Sequence, residues 1–112
     1  MRSNEILEQE LNKMGVPVKY YEYAGVEKTY IVYNEEAEQP VNHGDNRPRN
    51  SVIWWQVHIF TPKQNDFREY KRKAKKLLED AGFCVTDIET LYEKETKTIH
   101  VAISCHIGER EE

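Results

Sequence analysis

Apolar and polar positions alternate along this chain with two different periods, and the places where one gives way to the other predict its elements. Residues 3 to 14 carry Ile6, Leu7, Leu11 and Met14 on one side at helical spacing, with Ser3 or Asn4 as a candidate cap and Gly15 and Pro17 as a stop. Val18 to Tyr23 and Lys28 to Asn34 read as two strands joined through Ala24-Gly25, most economically as a hairpin. Residues 52 to 60 form the strongest strand. Ile53, Trp55, Val57 and Ile59 make one apolar face, while Val52, Trp54, Gln56, His58 and Phe60 make the other apolar or aromatic as well. Such a strand is expected at the centre of a sheet, covered on both sides.

A second helix follows Thr61-Pro62. Asp66 and Glu69 form a candidate capping box, and Phe67, Tyr70, Ala74, Leu77, Leu78 and Ala81 define a core-facing stripe. Gly82 then ends the helix. Two strands, about 84 to 92 and 98 to 107, close the pattern through a turn at Glu93 to Lys97. In the last of them Ile99, Val101, Ile103, Cys105 and Ile107 point one way, and His100, Ala102, Ser104 and His106 the other. Two stretches lack periodicity. Residues 35 to 50 read as a long polar loop, and residues 108 to 112 as an acidic tail that frays.

The predicted order is therefore α-β-β-β-α-β-β. It describes one α+β domain over residues 1–112, with an antiparallel sheet of about four to five strands and two helices packed on it. A length of 112 residues suits one core. Runs of strands beside two helices place both helices on one face, unless each covers a different one.

Composition narrows the function classes. The net charge of -4 gives the whole molecule no general attraction for nucleic acid or anionic lipid. No apolar run reaches the roughly 20 residues of a membrane span. The first residues, Met1-Arg2-Ser3-Asn4-Glu5, lack an apolar signal region, which predicts a cytoplasmic location with Cys84 and Cys105 as free thiols.

Catalytic and metal chemistry find little support. His100 and His106 share a strand face about 20 Å apart, and His58 approaches either only if the strands pair suitably. No zinc-type spacing occurs, the glycines are scattered singly, and Cys105 lies on an apolar face where an inert buried thiol is expected. The reading assigns no catalytic residue, cofactor or metal. Six basic residues between Arg68 and Lys76 form a cationic helix face that suits phosphates, yet a solvated amphipathic helix looks the same.

The surplus of aromatic residues is more telling. Two tryptophans and seven tyrosines exceed what one core face absorbs, so Trp54 and Phe60 are expected to face a partner if both helices pack on the Trp55 side. The candidate subunit interface comprises Trp54 and Phe60, the helix cations Arg68, Lys71, Arg72, Lys75 and Lys76, and the acids Glu35, Glu36 and Glu38. His43, Asp45, Arg47 and Arg49 form a candidate contact loop.

The arrangement resembles the tail terminator (tail completion) proteins of long-tailed phages and prophages, within the wider group of head-tail joining proteins. The resemblance spans most of the chain. It rests on the N-terminal helix, Tyr30-Ile31-Val32-Tyr33-Asn34, the polar loop before Trp55-Gln56-Val57-His58-Ile59-Phe60, the helix end Lys76-Leu77-Leu78-Glu79-Asp80-Ala81-Gly82-Phe83, and Thr98-Ile99-His100-Val101-Ala102-Ile103. It implies a non-catalytic virion component that forms a ring, typically a hexamer, capping the tail tube and meeting the head connector. Its partners would be further copies of itself, tail-tube proteins and head-connector proteins. A cytosolic protein-interaction module, another neck protein and, further off, a nucleic-acid-binding domain remain alternatives.

Overall fold

A computed structural model describes residues 2–41 and 50–110. Helix α1 (Ser3–Leu11) continues into a 3₁₀ turn (Asn12–Met14), which Gly15 ends at φ 76° in the left-handed region that glycine adopts without strain. Strands β1 (Val18–Tyr20), β2 (Tyr30–Val41) and β3 (Asn50–Pro62) precede helix α2 (Phe67–Asp80), and strands β4 (Cys84–Glu93) and β5 (Thr98–Arg110) complete the fold. They form one five-stranded mixed sheet in the order β1-β2-β3-β5-β4. The class is α+β, and the element order is the one the periodicity predicts.

β3 lies at the centre and pairs antiparallel along its whole length with β5 and, over Asn50 to Phe60, with β2. Its inward residues Ile53, Trp55, Val57 and Ile59 are buried against Leu7, Leu11 and Met14 from the first helical segment and Ala74 and Leu78 from α2. From β5, Val101, Ile103 and Cys105 extend the same face. Both helices pack there, so β3 is central but covered on one face only. Asp66 Oδ1 accepts from the Glu69 amide and starts α2 as the cap motif requires, and Gly82 ends it at φ 101°.

Coverage on one face corrects the expectation of cover on both, and four further expectations need correction. β1 and β2 are parallel, not a hairpin: Val18 sits opposite Ile31 and Tyr20 opposite Tyr33. Tyr21, at φ 67°, turns the chain out of β1, and residues 21–29 carry it back to the start of β2. There the Tyr23 ring stacks on Tyr30 at 4.5 Å, and Gly25 lies so close that any Cβ would overlap that ring. The polar segment from Glu35 is strand as far as Val41, because β3 starts earlier than its apolar pattern does and supplies the backbone partners. Residues 42–49, which include His43, Asp45, Arg47 and Arg49, lie outside the described residues.

The C-terminal end is likewise strand up to Arg110, paired with Asn50, and not a tail from Gly108. Finally, Ser3 does not cap α1. Arg2 takes that position, and its backbone N–H donates to Glu5 Oε1 at 3.3 Å. Ser3 is instead a buried hub. Its hydroxyl accepts from Trp55 Nε1 at 3.0 Å and donates to Glu109 Oε2 at 2.6 Å, while its backbone N–H donates to the same carboxylate oxygen at 3.0 Å. The Glu109 carboxylate thus sits at the positive end of α1 and ties helix, central strand and last strand together.

Ser3→Ala removes the acceptor of a buried indole N–H. An unsatisfied buried donor costs about 1–3 kcal/mol, so urea unfolding followed by tryptophan fluorescence is expected to give a lower midpoint with an unchanged slope. The two thiols differ as well: Cys84 is exposed, whereas Cys105 is fully buried and burial pushes its pKa up to about 12. A disulfide-exchange reagent should titrate one thiol in the native chain and both in denaturant.

Candidate functional site

With both helices on the Trp55 side, the residues between the core positions form an open sheet face. Ladder pairing places the opposed residues of neighbouring strands on the same face. On β3 these are Trp54, Gln56, His58 and Phe60; on β5, His100, Ala102, Ser104 and His106; on β2, Tyr30, Val32 and Asn34. Trp54 and Phe60 are half-buried, not by a layer above them but by rings alongside in the sheet.

Tyr23, Tyr30, Phe60 and His100 stack in one row across the face, with centroid separations of 4.5, 4.8 and 4.3 Å. The register makes the row: Phe60 sits directly between Tyr30 on β2 and His100 on β5. Further along, Trp54 lies opposite His106, rings 4.4 Å apart, and donates from Nε1 to Gln39 Oε1 at 3.0 Å. Gln56 donates to Glu36 Oε2 at 2.6 Å. Fixed rings of this kind lose little side-chain entropy on meeting a partner.

The histidine approach left conditional by the sequence occurs. β3 and β5 are neighbours, and His58 Nδ1 lies 2.8 Å from His100 Nε2. The outer nitrogen of His58 is 3.1 Å from Asn34 Oδ1, and that of His100 is 3.9 Å from Glu93 Oε1. His58, His100 and Asn34 line a cleft of about 290 Å³ walled also by Tyr23, Tyr30 and Phe60. A larger cleft of about 650 Å³, between the 3₁₀ turn and residues 26–29, gathers no convergent set of reactive groups.

Both histidines titrate below the usual imidazole value. Burial is the main cause for each; the neighbouring His100 adds to it for His58, while Glu93 partly opposes it for His100. Two imidazoles with facing nitrogens at this distance cannot both be protonated without placing N–H against N–H.

Acids edge the face. Glu36 lies on β2, and Asp87, Glu89 and Glu93 lie opposite Ser104, Ala102 and Thr98 on β4. Lys19 opposite Val32 and Arg110 opposite Asn50 lie at its margins, and Lys28 and Lys97 line a cleft beside Tyr30 and Phe60. The cations predicted from the sequence occupy the far side of the molecule, on α2. Lys75 and Lys76 are spent on Glu79 and Asp80 in their own helix, at 2.9 and 3.1 Å, and Lys71 lies over the Phe67 ring at 5.3 Å. Arg68, Arg72 and Lys73 are exposed and make no ion pair among the described residues.

The predicted interface is therefore divided. Trp54, Phe60 and Glu36 share the open face, the helix cations point away from it, and a bulge after Glu35 separates Glu36 from Glu35 and Glu38, which pair with the core-face positions Trp55 and Ile53. Sequence reasoning missed the Tyr23–Tyr30 stack and left the His58–His100 contact conditional on the strand pairing. Both depend on which strands are neighbours. Among the described residues no helix is long and apolar enough to cross a membrane, and no group of three or more His, Cys, Asp or Glu side chains is placed to hold a metal ion.

No family model matches the chain, and no curated protein does. Among solved structures, the fold is shared with a chain of the virion of the native gene transfer agent particle. The TM-score is 0.63 over 94% of this chain and 92% of that one, at 12% sequence identity. A likeness at that identity concerns the fold.

The lowered titration of the two histidines has a direct consequence for stability. A base whose folded pKa lies below its unfolded value favours the native state when neutral. The contribution is complete above about pH 6.5, the unfolded imidazole value, and is lost as pH falls through the lower folded values. Stability measured by urea unfolding between about pH 7.5 and pH 5 is expected to fall. In His58→Gln the decline should be shallower, and an identical slope would contradict the assignment.

Proposed function

We propose that this chain is a non-catalytic assembly subunit of a phage-like particle, most specifically a tail terminator that closes into a ring with further copies of itself. One observation carries the reading: the aromatic sheet face lies uncovered, on the side opposite both helices. The fold shared with a virion chain supports it, as does the resemblance of residues 30–34, 55–60, 76–83 and 98–103 to the terminator pattern.

A ring needs two different surfaces on each subunit, meeting head to tail around a closed circle. The acid-edged aromatic face and the cationic outer side of α2 lie on opposite sides of the molecule and differ in sign. In the proposed contact Trp54 and Phe60 form the apolar centre, and Arg68 and Arg72 of one copy approach Glu36, Glu89 and Glu93 of the next. Aromatic centres with charged rims are the usual anatomy of such interfaces. Lys71, Lys75 and Lys76, engaged within their own helix, contribute less. Glu35 and Glu38, which flank the bulge and pair with core-face positions, are assigned to a neighbouring ring or another neck component, and so are the candidate contact residues His43, Asp45, Arg47 and Arg49 of the sequence between β2 and β3. A hexamer, tail-tube and head-connector partners, synthesis in the host cytoplasm and incorporation into the virion complete the proposal. The acids at the edge of the aromatic face argue against nucleic acid as its occupant.

Light scattering across a concentration series tests the reading. A closed oligomer is expected at about 0.05 M salt, shifting toward smaller species near 1 M as rim charges are screened. Arg72→Glu should lower the oligomer fraction at low salt. A monomer at every concentration and salt, or a mass indifferent to both salt and this substitution, would contradict it.

A further inference from the structure

We propose that His58 and His100 together bind one transition-metal ion of the Zn²⁺, Ni²⁺ or Cu²⁺ class, through His58 Nδ1 and His100 Nε2, with water from the cleft filling the remaining positions. The two inner nitrogens already face each other at 2.8 Å. Two imidazoles bound to one ion at about 2.0–2.1 Å in tetrahedral geometry stand roughly 3.4 Å apart, so the rings must part by only about half an ångström. Imidazole nitrogen is a ligand suited to this class of ion.

The outer nitrogens strengthen the assignment. Ligand histidines typically donate their second N–H to a carbonyl or carboxylate oxygen, which fixes the tautomer and raises ligand basicity. Here Asn34 Oδ1 stands 3.1 Å from His58 Nε2, within hydrogen-bond distance, while Glu93 Oε1, at 3.9 Å from His100 Nδ1, would have to swing closer to serve as the second partner. If both outer nitrogens carry hydrogen, both inner lone pairs point into the same gap, and a cation belongs between them. A proton can occupy it at low pH. At about pH 7.5 an imidazole is mostly uncharged, which leaves the lone pairs to a metal.

The surroundings favour an open site. Phe60 stacks beside both rings, at 4.3 Å from His100 and 6.5 Å from His58, and holds them in place. The cleft of about 290 Å³ gives room for water ligands. With no third His, Cys, Asp or Glu ligand among the described residues, the ion keeps exchangeable positions. His106 lies tilted against Trp54, six residues along the strand from His100, and takes no part. The site needs no second copy of the chain.

Titration of the tag-free full chain with CuCl₂, NiCl₂ and ZnCl₂ by calorimetry at about pH 7.5 tests the proposal, with electron paramagnetic resonance of the copper form. One ion per chain and two coupled imidazole nitrogens are expected. His58→Gln and His100→Gln should each weaken binding at least tenfold, and Asn34→Ala roughly tenfold, the lower end of what loss of an outer partner costs. His106→Gln should bind as the parent does. If a histidine variant folds poorly, nuclear magnetic resonance of the parent chain decides the matter, with Zn²⁺ expected to move the His58 and His100 ring signals and leave His106 in place. Unchanged affinity in either His58→Gln or His100→Gln, an equal loss in His106→Gln, or no movement of the two ring signals would overturn the site.

Discussion

The fold depends on the pairing of β3 along both of its edges at once. All thirteen residues from Asn50 to Pro62 are held by β5 on one side, and Asn50 to Phe60 by β2 on the other. This double ladder keeps alternate side chains on fixed faces, because a slip of one residue would exchange the two sets. One set, Ile53, Trp55, Val57 and Ile59, receives both helices. The other set receives none. The described residues form two α-helices, each with a single apolar stripe, and α2 turns its opposite side to water with Arg68, Arg72 and Lys73. An apolar sheet face without a covering layer follows from that shortage.

What the open face can do follows from the same register. Phe60 lies between Tyr30 and His100, and His58 reaches diagonally to His100, so rings and imidazoles support one another laterally. The surface is therefore stiff before any partner arrives, which lowers the ordering cost of association. The Ser3–Trp55–Glu109 hydrogen bonds act on the other side of the sheet, fixing α1 across β3 and the end of β5. Stability and exposed chemistry thus lie on opposite faces of the same strand, so a change on the open face need not disturb the core.

Much of this was legible in the residues. The helical stripe from Phe67 to Ala81 and its glycine stop are local signals, and they placed α2 within a residue or two. The alternation from Ile99 to Ile107 identified β5 and its buried face, Cys105 included. The polar part of β2 was hidden because Glu35 to Pro40 are exposed and show no alternation, and their strand state comes from β3 alone. Ser3 read as a cap because its type suits one, whereas its partners lie 52 and 106 residues away. The β1–β2 direction escaped for the same reason: Ala24-Gly25 resembles a turn, and nothing local reports that the chain crosses back before pairing. The interface candidates were half legible. Their residue types identified a sticky face and a cationic helix, but only the assembled sheet divides Glu36 from Glu35 and Glu38 and brings His58 to His100.

The proposed ring requires that copies of the chain meet at the open face. The most direct measurement is the solution mass of Phe60→Asp beside that of the parent at equal concentration and low salt, with circular dichroism to confirm an unchanged fold. Loss of the oligomer with retention of the fold is the predicted result. An oligomer that persists undiminished with a charge at the centre of that face would contradict it.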